Sequence, residues 1–145
     1  MSKNDQQPAF AFVCEHEQDL PVDDFVDILT RSGLAARRPV DDRDRLSTML
    51  RESDLIVTAR NRDGVLVGLS RALTDRAYVS YLSDLAVCRR FQRRGIGQAL
   101  IQRTHELAGP QTKLVLLSAP AASEYYPHVG FTQHPSAWTL NSTSE

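Results

Sequence analysis

Four arginines, Arg89, Arg90, Arg93 and Arg94, fall within six consecutive positions, and Gly95 and Gly97 follow around a single isoleucine. Residue types at that spacing can hold an anion. Glycine lets a ligand approach the backbone closely. A helix that opens there has unpaired N–H groups and the positive end of its dipole, both suited to phosphate. The arginines add formal charge beside it. The plainer alternative is a solvated basic turn ahead of a helix. Two well-known phosphate loops do not fit. A Walker loop ends in Gly-Lys-Ser/Thr, whereas Gly97 is followed by Gln98 and Ala99. A dinucleotide loop needs a third glycine at position 100, which is Leu100.

The surrounding pattern must place this stretch between a strand and a helix. Residues 77–88 are β-prone, and residues 95–108 carry Ile96, Ala99, Leu100 and Leu107 on one helical stripe, stopped by Gly109 and Pro110. Upstream, residues 9–14 read as a first strand. Residues 21–33 read as a helix, with Pro21 in its first turn, Asp23 and Asp24 at its positive end and Gly33 as a C-cap. A second helix is expected over residues 41–53. Two apolar runs around "NRDG" (residues 61–64) predict a strand hairpin. Downstream, residues 112–119 are nearly all apolar, as in a strand covered on both faces. Residues 120–130 are expected to form a short helix, and residues 131–140 one or two closing strand pieces. The order β-α-α-β-β-β-α-β-α-β indicates an α+β sandwich with a mixed sheet.

Composition bounds the partners. The 145 residues carry 17 basic and 18 acidic side chains, so no whole-protein attraction to nucleic acid or to an anionic membrane is implied. Residues 9–140 are expected to form a single domain between a flexible N-terminus (1–8) and a flexible tail (141–145). The first residues lack the basic and apolar regions of a signal peptide, and no apolar run reaches membrane-span length. Cys14 and Cys88 form no metal or redox spacing, so a cytoplasmic protein with reduced thiols is expected.

The stretch "DLAVCRRFQRRGIGQALI" resembles the acyl-CoA-binding segment of the GNAT superfamily of N-acetyltransferases. The family signature Gln/Arg-x-x-Gly-x-Gly/Ala matches Gln92, Gly95 and Gly97. It follows an aliphatic strand end, Leu85-Ala86-Val87, and opens a helix continuing into Leu100-Ile101. A second family motif, Ala-x-x-x-Tyr-x-x-x-Gly-Phe, matches Ala122, Tyr126, Gly130 and Phe131. The resemblance implies a mixed, mostly antiparallel sheet of six to seven strands with about four helices and splayed central strands. It implies acetyl-CoA as cosubstrate and no metal.

It also implies roles. Backbone N–H groups across Arg93, Arg94, Gly95, Ile96, Gly97 and Gln98 would bind the pyrophosphate, and the Arg93 and Arg94 side chains would meet phosphates. Leu85, Ala86 and Val87 would pair with the pantetheine arm. Tyr126 stands where the family places its general acid, with Tyr125 as packing or substrate wall. Asp84 is the candidate base. Tyr81 and Ser83 alternate onto the face opposite Asp84 unless a bulge resets the strand. Arg37 and Arg38 could attract an anionic group on the acceptor, and Asp41 and Asp42 its ammonium; Tyr81 is a further acceptor-side candidate. His128 and His134 read as rim residues. Two departures stand out: Pro127 directly follows Tyr126, where a helix could end, and Ala119 replaces a frequent asparagine. The implied activity is acetyl transfer to a primary amine of a small molecule or a protein. The alternative is a non-catalytic acyl-CoA-binding regulatory module. Nucleic acid and membrane are not expected partners; a homodimer is.

Overall fold

The computed structural model describes residues 10–142. Five strands form one sheet in the order β1-β2-β3-β4-β5. They are β1 (Phe12–His16), β2 (Leu55–Asn61), β3 (Leu66–Thr74), β4 (Val79–Val87) and β5 (Lys113–Leu116). The first three pairings are antiparallel, and β4 with β5 is parallel. Four α-helices accompany them: α1 (Val22–Ser32), α2 (Arg43–Arg51), α3 (Ile96–Ala108) and α4 (Tyr125–His128).

Local chemistry sets these boundaries. Pro21 stands at the N-cap of α1, and Gly33 ends the helix at φ 87°, a left-handed conformation that favours glycine. The Asp42 carboxylate accepts the Arg45 N–H at 3.1 Å, so α2 begins after it, two residues later than the sequence suggests. In the hairpin turn, Asn61 Oδ1 accepts the N–H groups of Asp63 and Val65. Between β3 and β4, Asp75 Oδ1 accepts three, from Ala77, Tyr78 and Val79.

Three layers result. Phe25, Ile28 and Leu29 of α1 and Leu46 and Leu50 of α2 pack on one sheet face against Ile56, Leu69 and Ala86. Ile96 and Leu100 of α3 pack on the other against Val57, Ala59 and Val67. Buried polar groups are paired, as in the Ser70 and Thr104 hydroxyls across the sheet–α3 boundary. The close approach of β3 to α3 depends on Gly68. A Cβ there would fall 2.8 Å from Ile96 Cγ2 and 2.9 Å from Leu100 Cδ1. Gly68→Ala should therefore cost about 1–3 kcal/mol by overpacking. Chemical denaturation should show a lower midpoint at unchanged slope; an unchanged midpoint would contradict this packing.

The sheet has five strands, not six to seven. Residues 131–142 form no strand. Pro135 lacks the N–H a ladder needs, and a turn forms there, with the Ser136 N–H bonded to His134 Nδ1. Trp138 and Leu140 beyond it are 91% and 101% exposed, so they pack on nothing among the described residues. β5 is thereby left as an edge, with Val115 and Leu117 exposed. The expected flexible segment 1–8 lies outside the described residues.

Strand β4 is irregular in two ways. Arg71 pairs with Asp84 and Ala72 with Leu82, so Ser83 is an extra residue, a bulge. And β4 pairs with β5 only from Val79 to Leu82, while β4 itself runs on to Val87. Past Leu82 the strands β4 and β5 part.

Candidate active site

The parting of β4 and β5 opens a cavity of about 900 Å³. Ser83, Leu85, Ala86 and Val87 form one wall, Leu116 and Leu117 the other. At one end stands the N-terminus of α3, represented by Gly95, Ile96, Gly97 and Gln98; Gln92 and Arg93 flank it. Tyr125 and Tyr126 of α4 close a further side, and Arg37 and Arg38 lie on the segment after α1.

The α3 end is built for an anion. Arg93 and Gly95 both take left-handed conformations, at φ 64° and 82°. No side chain caps the helix, which leaves the N–H groups of its first turn open toward the cavity. Gly97 has no Cβ to cover them; one placed there would lie 2.5 Å from the Tyr125 hydroxyl. Tyr125 is thus more than a packing residue, since its phenol reaches the mouth of the helix. The Gln92 side chain bonds back to the Val87 carbonyl at 3.4 Å. Ile96 contributes only its backbone, its side chain being buried in the α3 core. Of the two arginines expected at phosphates, Arg93 lines the cavity. Arg94 does not: its guanidinium lies 5.0 Å from the Phe10 ring. Arg89, by contrast, does line it and lies over Gly33.

Tyr126 is held by its own helix end. Pro127 does not end α4; it falls within the single turn Tyr125–His128, where a missing N–H costs no helical bond. The turn closes with Phe131 N–H to the Tyr126 carbonyl (3.0 Å) and Gly130 N–H to the Pro127 carbonyl (3.3 Å), with Gly130 left-handed at φ 95°. This is a Schellman cap, and its usual apolar contact is the Phe131 ring set edge-on against Tyr126 at 5.5 Å. The Tyr-x-x-x-Gly-Phe spacing is therefore the spacing of a helix stop that fixes the tyrosine. Burial pushes both phenols above their ordinary pKa, and Tyr125 adds to the rise at Tyr126. Both stay protonated across the neutral range.

Asp84 sits differently from its expected place. Its side chain is fully buried and does not line the cavity. One carboxylate oxygen takes Arg38 Nε and the other Arg71 Nε, each at 2.5 Å. Arg71 also reaches Ser53 and Ser83 hydroxyls, and Arg38 bonds the Ser83 carbonyl at 2.8 Å. The bulge does reset the strand: Tyr81 lies opposite Leu73 and Asp84 opposite Arg71, two positions apart on one face of β3. Tyr81 nevertheless does not line the cavity. Nor do Asp41, Asp42, His128 or His134; Asp42 caps α2 and lines a separate groove with Asp44 and Glu52. Arg71 carried a sequence signal, as a lone charge inside the apolar run of β3.

The family described as acetyltransferase (GNAT) domain matches residues 29–140. No curated protein matches the chain. In fold it is similar to a GNAT-family acetyltransferase of Streptococcus pneumoniae, with TM-score 0.67 and 20% identity over 91% of this chain and 100% of that one. It is also similar to an aminoglycoside acetyltransferase from an uncultured soil metagenomic sample, solved with sisomicin, with TM-score 0.69 and 16% identity over 91% and 95%. A third similar structure is an aminoglycoside N-acetyltransferase in complex with CoA, with TM-score 0.69 and 17% identity over 94% and 97%. The family match spans most of the chain, including the parted strands, the open helix end and the capped tyrosine, and the chain belongs to the GNAT family of acetyltransferases.

Proposed function

We propose that the chain, as a single domain over residues 9–140, transfers an acetyl group from acetyl-CoA to a primary amine by direct attack in a ternary complex. The observation that carries this is the uncapped α3 N-terminus opening into the cavity between β4 and β5. The residues present fit the cosubstrate. The N–H groups of Gly95 to Gln98 and the Arg93 side chain would hold its pyrophosphate, with Arg89 at hand for an outer phosphate. The backbone of Leu85 to Val87, past the end of the β5 pairing, offers the edge an extended arm can pair with. Bound there, acetyl-CoA supplies an acetyl thioester already activated for transfer.

Tyr126 Oη holds the proton that a departing thiolate requires. We read Asp84 as the anchor of Arg38 and not as the base, because both its oxygens are engaged and it is shut off from the cavity. No Asp, Glu or His lines the cavity among the described residues. The acceptor amine then loses its proton to water, and the rising limb of the pH–rate profile should move with the pKa of the acceptor amine. The falling limb should lie above the ordinary phenol value, since an acid is lost only as pH rises through its raised pKa. Tyr126→Phe should lower kcat about 100-fold with little change in the KM for acetyl-CoA. Tyr125→Phe should act on that KM instead.

The same want of a cavity-lining base favours the second reading, an acyl-CoA-binding module without transfer. Thiol release from acetyl-CoA over a broad amine panel separates the two: turnover that falls in Tyr126→Phe excludes the module. A cytoplasmic setting suits the two free cysteines. A homodimer meeting along β5 belongs to the same proposal, that strand being an exposed edge.

A further inference from the structure

We infer that the acceptor amine carries an anionic group, a carboxylate or a phosphate, and that Arg37 and Arg38 bind it. This rests on the acetyl-transfer reading and narrows its substrate class. The cavity has two basic ends. Arg93 belongs to the end at α3, beyond Val87, and the Arg89 guanidinium reaches over Gly33 between the two ends. Arg38 belongs to the other end, bonded to the Ser83 carbonyl at the bulge. Val87 is four positions beyond Ser83, about 13 Å at the usual rise. One phosphate-bearing cosubstrate can neutralise the α3 end, and the other end is left for something else.

At that second end the buried carboxylate is outnumbered, and the carboxylates beside Arg71, those of Asp42, Asp44 and Glu52, line the separate groove and not the cavity. The Asp84 carboxylate is shared between Arg38 and Arg71, so the buried cluster keeps one net positive charge. Arg38 has three of its five N–H groups engaged, by Asp84, Ser83 and the Arg37 carbonyl. Two N–H groups remain, one on each terminal nitrogen, and guanidinium donors of this kind suit carboxylate or phosphate oxygens. Asp84 and Ser83 fix the guanidinium, so little freedom is lost when it binds. Arg37 beside it is exposed and makes no ion pair among the described residues, and it lines the same cavity. Among the described residues, no carboxylate lines the cavity to receive further ammonium groups. A polycationic acceptor would meet like charge there, whereas an amino acid or a phosphorylated amine would meet a fitted counter-charge.

The test uses matched acceptors with acetyl-CoA at saturation. The ratio kcat/KM is measured for a set of α-amino acids and their amides, for phosphoethanolamine and ethanolamine, and for spermidine and sisomicin as polycations. The acid members should exceed their neutral partners by about tenfold or more, the worth of one charge-assisted hydrogen bond. The amino-acid arm and the phosphoethanolamine arm tell which anion is preferred. Arg37→Glu should erase that preference while the affinity for acetyl-CoA, measured by calorimetry, stays within about twofold, because the two ends are separate. Equal rates for each acid and its neutral partner, or a preference for the polycations, would overturn the inference even with acetyl-CoA bound. Failure to bind acetyl-CoA at all would instead overturn the acetyl-transfer reading beneath it.

Discussion

Gly97→Glu should weaken acetyl-CoA binding about 100-fold or more and leave the fold standing. A Cβ at this position would meet the Tyr125 hydroxyl at 2.5 Å, and Val87 Cγ2 only at 3.8 Å. The close atom is the far end of a phenol that can swing away, so the backbone need not move. An acidic side chain in the first turn of α3 is also favourable to the helix itself, by about 0.3–1 kcal/mol. The same carboxylate occupies the place of the anion and satisfies the open N–H groups. Losing one or two charge-assisted hydrogen bonds, each worth about 1.5–3 kcal/mol, weakens binding roughly 100-fold or more. Calorimetry with acetyl-CoA measures it, and Gly97→Ala serves as the milder control that only displaces Tyr125. Unchanged affinity in Gly97→Glu, with an unchanged melting profile, would remove the main support for the proposed site.

Asp84→Ala should be the most destabilising change at the cavity, at about 3–5 kcal/mol. It leaves two guanidiniums without their carboxylate, and the Arg71 side chain is only 8% exposed. With total stability of about 5–15 kcal/mol for such a domain, that loss could empty the native state. Asp84→Asn keeps the test readable. It preserves shape and one accepting oxygen, and it turns an amide donor toward the other arginine. A base at this position would lose kcat and keep stability. An anchor for Arg38 predicts the reverse: a lower denaturation midpoint and a raised KM for the acceptor, with a smaller effect on kcat. A variant that melts normally and has lost about 100-fold or more in kcat would restore the base role.

The parts of the fold legible in the sequence are those set within a few residues. Pro21 and Gly33 bracket α1, Gly95 and Gly109 bracket α3, and Asn61 closes the hairpin through its own amide oxygen. The anion end of the cavity is legible for the same reason, since the glycines and the strand–helix step are contiguous. The long-range parts are not. Asp84 lies 13 residues from Arg71 and 46 from Arg38, and nothing local says that one carboxylate ties them. Its acidic type suggests chemistry; burial between two arginines makes it a fixture. Arg94 departs from its expected place because a neighbouring aromatic cluster, Phe10 and Phe91, takes its guanidinium. The closing strands fail on competition between propensity and partner. Trp138 and Leu140 favour extended backbone, but the turn at Pro135 denies residues 131–142 a place on the sheet. Pro127 has the look of a helix stop, but a helix only one turn long has no interior bond for it to break.

The bulge at Ser83 makes β4 a strand of two phases. Before it, even-numbered residues turn toward α3, as the Ser80 hydroxyl bonded to Thr112 and Leu82 opposite Ala72 show. After it, odd-numbered residues do, as Leu85 and Val87 show by packing with Ile96 and Leu100. A single-residue deletion at 83 would remove the bulge and leave one regular ladder, with Leu82 still opposite Ala72 and Asp84 still opposite Arg71. Side chains on both sides would keep their faces, because the bulge is where the extra residue is absorbed. The loss would fall on Arg38, whose anchor at the Ser83 carbonyl goes with the deleted residue.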